Sequence, residues 1–156
     1  RELGVYAAGV SIEPAPDLAP AVGQSDIILT ATPSYKPLVQ AAWVRPGTHF
    51  SCVGADLAGK QELDGAILAG ARVYTDDTPQ CLAVGEVEMA VKQGFLAPQE
   101  IAGELGQVLA GQKPGRTGDG DITVFDTTGI ALQDLAAAAC ALRRAEAMGV
   151  GTVVQL

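Results

Sequence analysis

The stretch from Val53 to Leu63, with the sequence VGADLAGKQEL, is the part of the chain whose residue types are best suited to chemistry. Two glycines flank Asp56, and Lys60 follows this acid four residues later. A carboxylate in a dry cleft can act as a general acid or base, and a nearby lysine can hold a phosphate or a carboxylate. The alternative is that Asp56 caps a helix and Lys60 is solvated. The residues of this stretch, called the acid loop below, leave both interpretations open.

Further candidate residues follow short apolar runs that we predict to be strands. These small or polar residues are Thr30, Gly54 to Asp56, Asp76, and Thr127 to Gly129. In open parallel sheets, ligands bind beyond the carboxyl ends of the strands. Threonines, glycines and carboxylates along such an edge suit a polar cofactor that comes close to the backbone. Any one of these residues, taken alone, is more simply a turn or cap residue.

The strands that must position these residues are four short runs rich in β-branched or aromatic side chains. They are Ser25–Leu29, His49–Val53, Ala71–Tyr74 and Ile122–Phe125. Their apolarity is continuous rather than alternating, which predicts strands that are buried on both faces, as in a parallel sheet. Weaker patterns predict a strand at Val10–Ile12 and another at Thr152–Val154.

Helical patterns separate the predicted strands. They cover Asp17–Val22, Asp64–Leu68, a stretch from Thr78 to about Lys92 in which Gly85 is a candidate break, Gln99–Ala110, and Ile130–Met148. Thr78 is the predicted N-cap of the third stretch, with a proline after it. In the last helix, the predicted buried face is Leu132, Leu135, Ala139 and Leu142, and Cys140 is assigned to the core. The alternation of strands and helices predicts an α/β fold with a parallel sheet.

Composition limits the class of protein. The chain has 156 residues, a net charge of −8 and 48% apolar residues, which indicates a globular domain with a sizeable core. The negative charge argues against nucleic acid or an anionic membrane as the main partner. Three widely spaced cysteines without a CxxC pair suggest neither a disulfide scaffold nor a metal site, and they fit a reducing, cytoplasmic setting. The longest apolar run is too short for a membrane-spanning helix.

Five sequence strings resemble the ornithine cyclodeaminase/mu-crystallin family. They are TATP from Thr30, RPGTH from Arg45, the acid loop itself, GELGQVLAG from Gly103, and TVFDTTGIALQD from Thr123. They keep the order and spacing of that family, and the match runs from about Ser25 to the C-terminus. The patterns VGADxxGKxEL and VFDxxGxALxD are highly specific when they occur together.

The resemblance implies a fold with two domains. Family members combine a Rossmann domain with a second domain that binds substrate and forms a homodimer, and the second domain uses the N-terminal half and the C-terminal end of the chain. Residues 1–126 would then be a partial Rossmann domain with a parallel sheet and flanking helices. Residues 127–156 would be the helix and strand that return to the substrate and dimerisation domain. No GxGxxG or GxGxxQ turn occurs in the chain, which therefore resembles the C-terminal portion of a longer protein.

The resemblance also implies roles for individual residues. It implies NAD or NADP as the cofactor, with contacts from Thr30, Phe50, Ser51, Cys52, Val53, Lys60 and Thr127. Asp56 matches the catalytic acid/base and contacts the substrate, and Thr128 matches a residue beside the substrate and the nicotinamide. No metal is implied.

The implied reaction takes place at the α-carbon of an amino or imino acid. In a cyclodeaminase, hydride moves from the α-carbon to NAD+, the side-chain amine closes a ring on the resulting imine, ammonia leaves, and the hydride returns. The alternatives are a one-way ketimine or pyrroline-carboxylate reductase, an enzyme like alanine dehydrogenase, a non-catalytic binding protein of mu-crystallin type, or an inactive fragment. Retention of Asp56 favours catalysis. Because the glycine turn that holds the pyrophosphate is missing, we expect the 156-residue chain alone to be inactive and to bind the dinucleotide poorly.

Overall fold

A computed structural model describes residues 9–152 and 154 of the chain. Within these residues, the helices and strands follow one another as α1 (Leu18–Gln24), β1 (Ile27–Thr30), β2 (Tyr35–Val39), β3 (His49–Cys52), β4 (Gln61–Leu63), α2 (Gly65–Ala69), β5 (Arg72–Thr75), α3 (Thr78–Cys81), α4 (Glu86–Lys92), β6 (Gly103–Glu104), α5 (Leu105–Leu109), β7 (Thr123–Asp126) and α6 (Ala131–Met148).

The main sheet has five parallel strands in the order β1-β3-β7-β5-β6. Its four longer strands are the four predicted runs, shifted by one or two residues at their ends, so the predicted α/β fold with a parallel sheet is confirmed. Since the strands all run in the same direction, the carboxyl ends of β1, β3, β7 and β5 lie along one edge of the sheet.

The core lies under one face of this sheet. Phe50, Val73 and Val124 point to that face and are fully buried, where they belong to the same apolar cluster as Leu68 of α2 and Val87 of α4. Side chains that alternate with them point to the other face, as the period of a strand requires.

The opposite face of the main sheet is only partly covered. Ile27 and Leu29 of the edge strand β1 are exposed there, and Ser51 and Phe125 are half-buried. The prediction that the strands are buried on both faces therefore holds for the centre of the sheet better than for β1.

A second, two-stranded parallel sheet was not apparent in the sequence. It pairs β2 with β4, with Tyr35 opposite Gln61 and Val39 opposite Leu63. β2 contains a lysine and a proline, and β4 has only three residues, two of them polar, so neither has the pattern of a buried strand. This pairing anchors the end of the acid loop.

Two predicted elements are wrong. Residues 10–12 form no strand and are exposed. The predicted helix Gln99–Ala110 is instead a 3-10 turn at Pro98–Glu100, the short strand β6, and α5. Gly103 has φ of +151°, and the Ala102 N–H donates to the Val73 carbonyl at 2.8 Å. Pairing with β5 therefore outweighs the helical pattern.

The stretch from Thr78 to Lys92 is interrupted where the sequence suggested. Gly85, with φ of +103°, separates α3 from α4. The predicted N-cap, however, is displaced by one residue. The Asp77 carboxylate caps α3 by accepting the Gln80 N–H at 2.8 Å, while the Thr78 hydroxyl bonds to that of Thr75 at 2.9 Å.

The helix α6 has the predicted extent and ends at Gly149, which is left-handed with φ of 64°. Its predicted buried face is wrong, because no described residue of α6 is buried. Leu132, Leu135 and Leu142 are 66%, 67% and 62% exposed, and Cys140 is exposed as well. No described element packs closely against this helix. The predicted strand Thr152–Val154 includes Val153, which lies outside the described residues.

Candidate active site at the carboxyl edge of the sheet

The carboxyl edge of the sheet brings three loops of the sequence together. Thr30, Cys52 and Asp126 are the last residues of their strands and lie side by side in register. Main-chain bonds continue beyond the strands: the Val53 N–H donates to the Thr30 carbonyl at 2.9 Å, and the Thr127 N–H donates to the Cys52 carbonyl at 3.0 Å. The TATP loop, the acid loop and the loop after β7 therefore leave the sheet next to one another.

The predicted cofactor residues of β3 differ in where their side chains point. Phe50 and Cys52 are fully buried on the core face, whereas Ser51 is half-buried on the other face and Val53 is exposed. Burial, followed by the charges of Glu86 and Asp126, raises the pKa of the Cys52 thiol. Cys52 is therefore a buried structural thiol and not a nucleophile.

Thr30 ends β1 with a buried side chain. Within residues 9–152, its Oγ1 has no nitrogen or oxygen partner and lies beside the Cys52 thiol of the adjacent strand. It lines a cavity of about 240 Å³ between α1, β1 and β2, together with Thr32 and Glu62. A buried hydroxyl without such a partner is available to a ligand or to water.

Asp56 and Lys60 form an ion pair in the acid loop, with Lys60 Nζ 2.5 Å from Asp56 Oδ1. The Lys60 side chain is only 12% exposed, and that of Asp56 is 56% exposed. The hydrogen bond from Lys60 holds the pKa of Asp56 below its usual value. The alternative interpretation fails on both residues, because the N-cap of α2 is Asp64 and Lys60 is mostly buried.

Two glutamates of α4 hold the acid loop. The Glu86 carboxylate accepts the N–H of Glu62 at 2.6 Å and that of Leu63 at 3.1 Å. The Glu88 carboxylate accepts the Gly59 N–H at 2.8 Å. Both glutamates are buried. Their burial could not be predicted from the sequence, because a charged pair in a short helix gives no local signal of burial.

Glu62 ties the acid loop to the TATP loop. Its Oε1 accepts the Thr32 N–H at 2.7 Å. Gly54 lies against the same contact, since a Cβ at this position would be 2.4 Å from Glu62 Oε2 and 2.5 Å from the Thr32 carbonyl oxygen. The glycine of VGAD is therefore required for the close approach of the two loops.

Asp76, which follows β5, organises the loop after β7. Its Oδ2 accepts the Thr127 hydroxyl at 2.7 Å, the Thr128 N–H at 3.1 Å and the Gly129 N–H at 3.0 Å. Burial raises the pKa of Asp76, but these bonds and those from Cys81 and Asp77 outweigh it and lower the pKa. The sequence identified Asp76 only as a strand-end residue, and its partners lie about fifty residues away along the chain.

Two buried acids beneath this edge have raised pKa values. Burial raises the pKa of Glu86 to about 8, despite its two backbone hydrogen bonds, and the charges of Asp126 and Glu62 add to the effect. Burial also raises the pKa of Asp126 to about 7, against the bond that its Oδ2 accepts from the Val87 N–H at 2.9 Å. These two carboxyls therefore change charge near neutral pH.

A larger cavity, of about 450 Å³, lies on the partly covered face of the sheet beside α5. His49 lines it, with Nδ1 2.8 Å from Thr123 Oγ1. Burial, and then the charge of Arg116, lowers the pKa of His49. His49 therefore has a structural contact at the amino end of β3, away from the carboxyl edge.

Within the described part of the chain, no group of three or more His, Cys, Asp or Glu side chains is arranged to hold a metal ion. No helix among the described residues is long and apolar enough to cross a membrane.

The model of the ornithine cyclodeaminase/mu-crystallin family matches residues 3–148. The chain belongs to this family. Among curated family relatives, the alanine dehydrogenase of Archaeoglobus fulgidus is 41% identical over 145 residues, which cover 93% of this chain and 44% of that protein.

Solved structures show the same likeness. The Delta(1)-pyrroline-2-carboxylate reductase of Thermococcus litoralis, in complex with NADH and L-proline, matches with a TM-score of 0.90 and 30% identity, covering 98% of this chain and 47% of that chain. A lysine cyclodeaminase, whose structure describes the recognition of L-lysine, L-ornithine and L-2,4-diamino butyric acid, matches with a TM-score of 0.79 and 30% identity. The match covers 99% of this chain and 44% of that chain. The chain spans less than half the length of each of these three proteins.

Proposed function

We propose that this chain is the cofactor-binding and acid-carrying part of an NAD(P)-dependent enzyme that acts at the α-carbon of an amino or imino acid. The observation that carries the proposal is the Asp56–Lys60 pair, held in a fixed loop at the carboxyl edge of a parallel sheet. In this proposal, residues 1–126 are part of the Rossmann domain, and residues 127–156 belong to the substrate and dimerisation domain.

The residues present fit one part of a dinucleotide. Thr30 offers a hydroxyl without a nitrogen or oxygen partner, Lys60 a cation, and Val53 and Thr127 an accessible edge. Phe50 and Cys52 would contribute through the main chain, because their side chains are buried in the core. A glycine-rich turn for the pyrophosphate does not occur in the sequence, so that group would need residues beyond these.

When bound, the nicotinamide would accept or donate a hydride at the α-carbon. Asp56 would exchange a proton with the substrate through its exposed carboxylate. Lys60 keeps that carboxylate ionised, which favours the role of a base. If Lys60 turned to an anionic group of a ligand, Asp56 would bind a proton more readily and could then act as an acid. Thr128, held in place by Asp76, would lie beside the substrate.

A dehydrogenase or one-way reductase is the activity that the relatives support best, because the identity with alanine dehydrogenase is 41%. A cyclodeaminase is the second candidate, supported by a structural match at 30% identity. Retention of Asp56 argues against a non-catalytic binding protein. The exposed leucines of α6 support a homodimer contact, and the three free cysteines fit a cytoplasmic protein. The preference for NAD or NADP is part of the same proposal.

The test is Asp56→Asn in the longer protein that this proposal implies. NADH oxidation with pyrroline- or piperideine-carboxylate should fall by about 100-fold or more, while NADH fluorescence should report unchanged cofactor binding. The matched control is Asp119→Asn, since Asp119 is exposed in a distant loop. Turnover like that of the parent protein would remove Asp56 from the catalytic role, and failure of the parent to bind NADH would overturn the proposal. For the 156-residue chain by itself, micromolar or tighter NADH binding would contradict the expectation that it binds the dinucleotide poorly.

A further inference from the structure

The Asp56–Lys60 pair depends on a tight turn. The Lys60 N–H donates to the Leu57 carbonyl at 3.1 Å, and Gly59 within this turn has φ of +81°, a conformation that glycine adopts without strain. The turn brings the Lys60 ammonium back to the carboxylate four residues earlier. Anything that fixes Gly59 therefore fixes the geometry of the pair.

Glu88 contacts this turn from α4. Its Oε2 accepts the Gly59 N–H at 2.8 Å, and its Oε1 pairs with the Lys92 ammonium of the same helix. Its side chain is only 1% exposed, and Val87 and Ala90 of the same helix are fully buried. A carboxylate at such a position is costly unless its oxygens are bonded. Both oxygens of Glu88 have partners.

The rest of the acid loop is held at other points. The Glu86 carboxylate accepts hydrogen bonds from the N–H groups of Glu62 and Leu63, and the Val53 N–H donates a hydrogen bond to β1. Among the described residues, the Glu88 carboxylate is the one hydrogen-bond acceptor from outside the loop for residues 55–60. Glu86 thus holds the end of the loop, and Glu88 holds its turn.

We propose that Glu88 is a positioning residue, which fixes the Gly59 turn through its N–H and so sets Lys60 against Asp56. Its importance for catalysis rests on the function proposed above for this pair, but the positioning itself can be tested without turnover. Removal of the acceptor should free the turn and separate the pair.

The test is a carbon-13 NMR titration of the Asp56 carboxyl in the 156-residue chain. Glu88→Leu keeps the size of the side chain but removes the acceptor. We expect the Asp56 midpoint to rise toward the ordinary aspartate value of about 3.9, together with a loss of hydrogen-exchange protection at the Gly59 amide. Glu88→Gln keeps a carbonyl oxygen for the Gly59 N–H and should restore the midpoint of the parent chain.

The matched control is Glu100→Leu. Glu100 accepts the Ala97 N–H at 2.6 Å in an exposed turn, so its loss should leave the Asp56 midpoint unchanged. An unchanged midpoint and an unchanged Gly59 amide in Glu88→Leu would overturn the proposal. If Glu88→Leu does not fold, hydrogen exchange of the parent chain is the test. A Gly59 amide that exchanges as fast as an amide in an unfolded chain would also overturn the proposal.

A parallel measurement separates this inference from the proposed function. In the longer protein, Glu88→Leu should lower kcat, and it should also weaken NADH binding, because it displaces Lys60, one of the proposed cofactor contacts. If the parent protein does not bind NADH, the proposed function fails, yet a shifted Asp56 midpoint in Glu88→Leu still supports the positioning role.

Discussion

Helices α2 and α6 both carry large apolar side chains but differ completely in burial. In α2, Ile67 and Leu68 are buried in the core beneath the sheet. In α6, leucines at helical spacing are exposed along the whole helix. An amphipathic pattern therefore predicts which face of a helix can be buried. Whether that face is buried depends on the presence of another element that packs against it.

The sheet region around α2 and the helix α6 also differ in the burial of their charged side chains. Beneath the carboxyl edge, Glu62, Glu86 and Glu88 are buried and accept backbone N–H groups of the site loops. Asp126 is buried as well and accepts the Val87 N–H of α4. In α6, the charged side chains are exposed. The buried carboxylates connect the loops of the candidate site, so the positioning of the site lies entirely in the sheet region.

The largest expected difference between the regions is in thiol reactivity. Cys52 and Cys81 are buried, while Cys140 of α6 is exposed. Burial also raises the pKa of Cys81, with the charge of Asp126 adding to it, which lowers its thiolate fraction. We expect Cys140 to react with a disulfide reagent at least about 1,000-fold faster than Cys52 and Cys81, because the buried thiols become accessible only when the chain unfolds. Cys140→Ser should abolish the fast phase. A protected Cys140 in the native chain would instead mean that α6 is covered in solution.

Two leucine-to-alanine substitutions test the difference in burial between α2 and α6. Leu68→Ala should lower the free energy of unfolding by about 2–5 kcal/mol, because it opens a cavity in the core. Leu135→Ala in α6, where the side chain is 67% exposed, should change it by less than about 0.5 kcal/mol. Urea unfolding of the two variants measures both values. Equal losses would contradict the exposure of α6.

The smallest expected effect is that of pH on stability. Burial raises the pKa of Glu86 from 4.5 to about 8 and that of Asp126 from 3.8 to about 7. The folded chain therefore holds these protons more tightly than the unfolded chain. Their stabilisation is fully present below the ordinary pKa values and is lost as pH rises through 7 and 8.

Between pH 7 and pH 9, the free energy of unfolding should fall by about 2 kcal/mol. Glu86→Gln should flatten this slope, whereas Glu146→Gln in α6, an exposed position, should leave it as in the parent chain. Urea midpoints across this range give the measurement. A stability that does not fall between pH 7 and pH 9 would show that the two acids are already ionised in the folded chain.

Much of the fold followed from local patterns. The four longer strands of the main sheet, the break at Gly85 and the extent of α6 depend on continuous apolar runs, a glycine and a helical period, which are properties of neighbouring residues. The errors occurred where a distant partner decided the conformation. Sheet pairing with β5 turned residues 103–104 into a strand, and β2 and β4 became strands because they pair with each other.

The candidate site shows the same division. Asp56 and Lys60 were singled out because they lie in one short loop with two glycines, although the residues alone left their roles open. The structure brings their side chains to 2.5 Å. The buried acids that hold the site loops in place were not recognised from the sequence. Glu88 lies 29 residues from Gly59, and Asp76 lies 51 residues from Thr127. The burial of these acids follows from tertiary packing.

The sequence by itself determined the α/β class, the positions of the four longer strands along the chain and the family resemblance, and it singled out Asp56 and Lys60 as candidates. Each of these depends on residue types at short spacing, which the chain carries wherever it folds. Only the tertiary structure decided which carboxylates are buried, which loops they hold together, and that α6 presents its apolar face without a partner among the described residues. The reason is physical: burial and hydrogen bonding of a polar group are set by the distant residues that surround it.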